Sequence, residues 1–181
     1  MISVTEPKSS GLTGGIVLYQ GPSMIDGKPI VAIATGILNK SSNQKTGAEI
    51  QTFIMCQKEN PVQVWLKGND YSICGDCKHS SPKNGGWNTC YVNVFQAPWN
   101  VWEKWKRGGY EKPTILNLNS FRDRVVRIGS YGDPVSVPVE VWETVASYAR
   151  GYTSYTHFWH KNIDDKYKKF FDKFSEIDTL E

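Results

Sequence analysis

Cys74, Cys77 and Cys90 are the residues whose type and spacing best suit chemistry. They lie in Cys74-Gly75-Asp76-Cys77-Lys78-His79 and, further on, Cys90-Tyr91-Val92. A CxxC pair can present two thiolates to one metal ion. The third cysteine follows twelve residues rich in Ser, Pro, Asn and Gly, a composition that lets the chain fold back. Tetrahedral zinc needs four ligands, so His79 is the candidate fourth and Asp76 a weaker one. Three thiolates can instead hold an iron–sulfur cluster with one iron open to a ligand. Spacing does not choose between zinc and iron. The plain alternative is a set of reduced, inert thiols, the reading given to Cys56 in the apolar run Phe53-Ile54-Met55-Cys56.

Two further stretches carry candidate groups. Gly129-Ser130-Tyr131-Gly132-Asp133-Pro134 reads as a tight turn after a strand, the place where open parallel sheets bind ligands. There Gly129 and Gly132 let the backbone come close to a cofactor. Asp133 can accept hydrogen bonds from an ammonium or hydroxyl group, or it can simply brace the turn. In Tyr155-Thr156-His157-Phe158-Trp159-His160, Thr156 and His157 would open onto the same edge. Asp133 and His157 are thus the candidate catalytic residues, and Gly129, Gly132, Asp133 and Thr156 the candidate cofactor-binding ones. His157 suits a proton carrier, a metal ligand or a hydrogen-bonded structural histidine. His160 is expected to face solvent.

These groups need elements to position them, and the pattern is that of an α/β chain. Ile16–Tyr19, Ile30–Leu38, Ile50–Cys56 and Val62–Leu66 read as strands, with Asn39–Gly47 as a hairpin loop between the second and third. Gly68–Asn88 reads as irregular, and Tyr91–Phe95 as a strand. Pro98 opens a helix bearing Trp99, Trp102, Trp105 and Lys106, which Gly108-Gly109 ends. Val125–Ile128, a helix over Pro138–Arg150 stopped by Gly151, and a strand over Tyr152–Phe158 make a parallel βαβ unit. The helix carries Val139, Trp142, Val145, Ala146 and Ala149 on one face. A final amphipathic helix spans 162–177, capped by Asn162 and striped by Ile163, Tyr167, Phe170, Phe171, Phe174 and Ile177. The expected fold is an open, partial parallel βα sheet with an N-terminal antiparallel β-hairpin region. It forms one domain over 16–181, with a cysteine loop at 68–92 and a flexible tail at 1–15.

The chain has 181 residues, enough for one domain with a substantial core. Seven Trp and nine Tyr suit that core first and ligand surfaces second. A net charge of +3 is too mild for a protein built on phosphate backbones, although nucleic acid stays open as a partner. No apolar run reaches the length of a membrane span, so no membrane partner is expected. Residues 1–15 lack an apolar leader core, which makes the cytoplasm the expected compartment and favours metal over cross-links for the cysteines.

Taken together, CGDCxH…CYV, the Trp-rich helix ending in KRGxY, RxGxYGDPxxVPxEVW and YTHxW resemble a family of bacteriophage and plasmid proteins. The matching residues are Cys74–His79, Cys90–Val92, Trp102–Tyr110, Arg127–Trp142 and Tyr155–Trp159, so the likeness covers Ile50 to Trp159. That family is in turn similar to radical S-adenosylmethionine enzymes. The resemblance implies a fragment of their barrel, a three-cysteine iron–sulfur cluster and, at Gly132-Asp133-Pro134, a turn that holds the amino group of S-adenosylmethionine. The spacing CxxC-x12-C departs from the CxxxCxxC of those enzymes, and too few βα units are present to close a barrel.

Two functions follow as expectations. One is a phage-encoded iron–sulfur or zinc protein acting on a nucleotide, nucleic acid or host metabolite. The other is a non-catalytic phage effector that binds and inhibits a host defence protein in the host cytoplasm, with zinc as a structural staple and the aromatics of Trp87–Trp105 as its interface. A zinc-containing nucleic-acid binder is a third reading, whose signature would be steep salt dependence.

Overall fold

A computed structural model describes residues 14–38, 47–158 and 164–175. One five-stranded sheet runs in sequence order, β1 (Gly15–Pro22), β2 (Pro29–Thr35), β3 (Ile50–Cys56), β4 (Val125–Tyr131) and β5 (Gly151–Ser154). The first three strands are antiparallel, with Ile30 opposite Cys56 and Thr35 opposite Gln51 across β2 and β3. From β3 onward the strands are parallel. This is the expected open α/β sheet with an antiparallel N-terminal part, and it does not close. Ile30 to Ala34 of β2 are all buried, as are Phe53 to Met55 of β3. Such continuous apolar runs belong to strands covered on both faces.

The crossover from β3 to β4 holds α1 (Pro61–Lys67), α2 (Tyr71–Cys74), α3 (Ala97–Lys106) and α4 (Ile115–Asn119). The step from β4 to β5 is made by α5 (Val139–Tyr148), and α6 (Asp165–Ser175) follows β5. Trp142 of α5 is fully buried, and its indole N–H donates to the Pro134 carbonyl at 2.9 Å. Trp102 of α3 donates likewise to the Cys56 carbonyl at 2.9 Å. Each ring therefore fills core volume while its polar edge stays paired. In α6, Tyr167 and Phe170 are buried, and Phe170 stacks on Tyr152 of β5 with ring centres 5.1 Å apart. Asn162, Ile163, Ile177, His160 and Trp159, the side chain of Phe174, and most of the Asn39–Gly47 loop fall outside the described residues. The strands that this loop joins do pair antiparallel. Among the described residues, no helix is long and apolar enough to cross a membrane.

Several expectations are corrected. Val62–Leu66 is helical, not a strand, because its borders are helix signals. The Asn60 side chain accepts from the Gln63 N–H, Pro61 sits in the first turn, and Gly68 closes the end in the left-handed region at φ 73°. Tyr91–Phe95 forms no strand, because Asn93 bends the chain. Its side chain accepts from the Phe95 N–H and its carbonyl from the Gln96 N–H. The stretch 68–88 is less irregular than expected, since it contains α2 and a 3-10 turn at Pro82–Asn84. Strand β5 stops at Ser154, short of Phe158, and Gly151 opens that strand instead of ending α5. Strand β4 runs through Gly129 to Tyr131, so the turn begins only at Gly132.

Cys56 gives a prediction that depends only on the fold. Burial, first, and the charges of Asp26, Asp70 and Glu59 push its thiol up from 9.0 to about 12. A folded pKa above the unfolded one contributes stability that is complete below pH 9 and declines as pH rises toward 12. Subtracting the Cys56→Ala denaturation curve from the parent's should isolate a loss on the order of 2 kcal/mol, allowing for screening of the half-buried sulfur. A flat difference between pH 8 and the highest pH at which the fold survives would refute it.

Candidate functional site

Strand β4 delivers its residues through a bulge. Between Gln51 and Phe53 of β3, β4 advances from Arg127 to Tyr131, so two extra residues are accommodated. Gly129 sits there at φ 77°, and a side chain on it would meet the Gly132 carbonyl oxygen at 2.9 Å. Thr52 fills the interrupted ladder by accepting from the Gly129 N–H at 2.8 Å and donating to the Arg127 carbonyl at 3.1 Å. Gly132, at φ 80°, lies against the Ile54 backbone with no room for a side chain.

Beyond it, Asp133 is 4 % exposed and its carboxylate is heavily engaged. It accepts from the Val135 N–H at 3.0 Å, the Thr156 hydroxyl at 2.9 Å and the His157 N–H at 2.7 Å. Burial pushes its pKa up, against the opposing effect of those donors. Asp133 therefore braces the segment after β5 onto the turn after β4, the structural role left open beside the ligand-binding one. Thr156 is part of that brace, since its hydroxyl also accepts from the Phe158 N–H at 3.0 Å.

The cysteine loop is tied to the same turn, because the Asp133 N–H donates to the Ile73 carbonyl at 2.6 Å. Cys74 ends α2 and is followed by Gly75 at φ 57°, where a side chain would collide with the Phe158 ring. The Cys77 N–H donates to the Cys74 carbonyl at 3.2 Å, closing the CxxC turn. Thirteen residues on, the Cys90 N–H donates to the His79 carbonyl at 3.0 Å, which brings the third cysteine back beside the first two. All four cysteines are free thiols.

Burial pushes the Cys74 thiol well up, and charge on Asp70, Cys77, Cys90 and Asp133 adds to the effect. Burial also raises the Cys77 thiol, against an opposing effect of the neighbouring His79 and Ser80 backbone. The Ser80 N–H itself donates to the Cys77 carbonyl at 3.0 Å. His79 bonds through Nδ1 to the Thr89 hydroxyl at 2.6 Å, and its ring centre is 5.4 Å from that of His157.

These groups share one cavity of about 520 Å³ at the C-terminal edge of β4 and β5. Cys74, Cys77, His79 and Cys90 line it together with Gly129, Gly132, Asp133 and His157. Of the site residues anticipated in the sequence, all reach the same space except Thr156, one bond away on Asp133, and Asp76, which is exposed and does not line it. The thiols and imidazole suit zinc or iron by chemistry and proximity. Even so, no group of three or more His, Cys, Asp or Glu side chains among the described residues stands in a ready ligating arrangement. Arg127, Tyr91, Tyr131 and Tyr155 also line the cavity and were not anticipated. The two-residue period of a strand could have found Arg127, which alternates onto the side of Gly129. Compared with protein-family models, curated proteins and solved structures, the chain matches none significantly.

Proposed function

We propose that this chain is a metal–thiolate protein, a bacteriophage-type member of the resembled family, whose cysteine loop holds iron–sulfur or zinc beside a small-ligand pocket. The observation that carries this reading is the shared cavity, lined both by cysteines of the loop and by the Gly132-Asp133 turn. Cys74, Cys77 and Cys90 would be the thiolate ligands, with His79 or His157 available from the facing imidazole pair. Bound there, an open metal position would supply Lewis-acid or one-electron chemistry to the pocket. The chain's own part is to shape the cavity and to bring the cysteine loop, the Gly132-Asp133 turn and His157 to it.

The proposal does not extend to S-adenosylmethionine and radical chemistry. The Asp133 carboxylate, which would have to receive the amino group, already serves three internal donors. A second reading, the host-binding effector, draws support from Trp87 and Phe95, large rings on the outside of the same region. Elemental analysis of the full chain purified without oxygen tests the first reading. About one zinc, or iron with matching sulfide and visible absorption, is expected per chain. Neither metal, together with tight stoichiometric capture of a host protein, would replace it by the second.

A further inference from the structure

We infer that Arg127, steadied by the Tyr91 phenol in the wall of the cavity, receives the carboxylate of a small planar ligand. The inference rests on the proposal that this cavity is the ligand site, and it names the ligand's class. Among the lining residues, Arg127 alone carries a guanidinium or ammonium group. Its Nη2 donates to the Tyr91 hydroxyl at 3.0 Å, and its guanidinium carbon lies 5.6 Å from the Tyr91 ring centre. No carboxylate pairs with it among the described residues. A guanidinium has five donors in a planar fork that matches a carboxylate edge to edge, and here most of that fork stays available.

Ser80 lines the same cavity, with its hydroxyl oxygen buried beside Gly86. The remaining walls suit a flat body. Tyr91 and Tyr155 are 72 % and 73 % exposed, and Tyr131 and His157 also line the space. Rings of this kind hold planar groups by stacking. The volume is that of a small-molecule site.

Carboxylate is favoured over phosphate by the surroundings. Phosphate sites gather several free backbone N–H groups and more than one cation. Here the N–H of Gly129 is taken by Thr52 and that of Asp133 by Ile73, leaving one cation to face the ligand.

The test titrates benzoate, its neutral isostere benzamide, and phenyl phosphate into the full chain, followed by ligand-observed NMR. Benzoate is expected to bind saturably, and benzamide about tenfold more weakly or worse. Arg127→Gln should erase that preference, and Tyr91→Phe should weaken benzoate several-fold while leaving the melting temperature unchanged. Absent saturable benzoate binding, equal affinity in Arg127→Gln, or displacement by phenyl phosphate at tenfold lower concentration would each overturn the assignment. Metal is measured in the same preparations. A metal-free parent that still prefers benzoate sinks the metal reading alone, whereas a metal-loaded parent indifferent to benzoate sinks this inference alone.

Discussion

A Cys77→Ser chain purified without oxygen is expected to retain on the order of a tenth or less of the parent's metal, since even indirect supports of a metal site change affinity tenfold or more. Cys77 closes the CxxC turn, buried as a residue and lining the shared cavity. A serine hydroxyl fits the same space but is a poor ligand for zinc or iron. The metal-free forms of parent and variant should therefore melt within about 1 kcal/mol of each other. Added metal should raise the melting temperature of the parent alone, because binding to the folded state stabilises by mass action. Cys56→Ser is the internal control. That sulfur ends β3, lies near the Asn69 carbonyl, and lines a different hollow. Full metal content in Cys77→Ser, or an equal loss in Cys56→Ser, would remove the loop from consideration as the metal centre.

The parts of this molecule legible in its sequence are those governed by local pattern. The runs around Ile16, Ile30 and Ile50 became β1, β2 and β3 because β-branched residues bounded by Gly, Pro and Asn have few alternatives. Helices α3 and α5 were marked by proline at one end and apolar spacing along one face. Helix α1 was less legible although its signals are present, since a stretch as short as Val62–Leu66 satisfies either period and only Asn60-Pro61 and Gly68 decide. The site was legible in its residue types but not in its wiring. CxxC and the glycine turn stand out by spacing, whereas the hydrogen bond from Asp133 to Ile73 joins elements sixty residues apart. The place of Arg127 in the site was illegible for a similar reason. A charged residue in a short strand reads as a solvated edge until a loop residue, Tyr91, is found against it.

That wiring makes Asp133→Ala a strongly destabilising substitution. Removing the carboxylate strips acceptors from the Val135 N–H, the His157 N–H and the Thr156 hydroxyl inside a buried turn. Each buried donor left alone costs about 1–3 kcal/mol, partly relieved where water can enter, so a total of about 3–5 kcal/mol is expected. Chemical denaturation checks the value. Asp133→Asn separates the acceptor role from shape. Its carbonyl oxygen can serve Val135 and Thr156, but its amide NH2 then faces the His157 N–H, donor against donor. An intermediate loss of about 1–2 kcal/mol should follow. If the carboxylate instead existed to hold a ligand, the order would invert. Asp133→Ala would keep the parent's stability within about 1 kcal/mol while losing ligand affinity, and the brace between β4 and β5 would have to be assigned to other contacts.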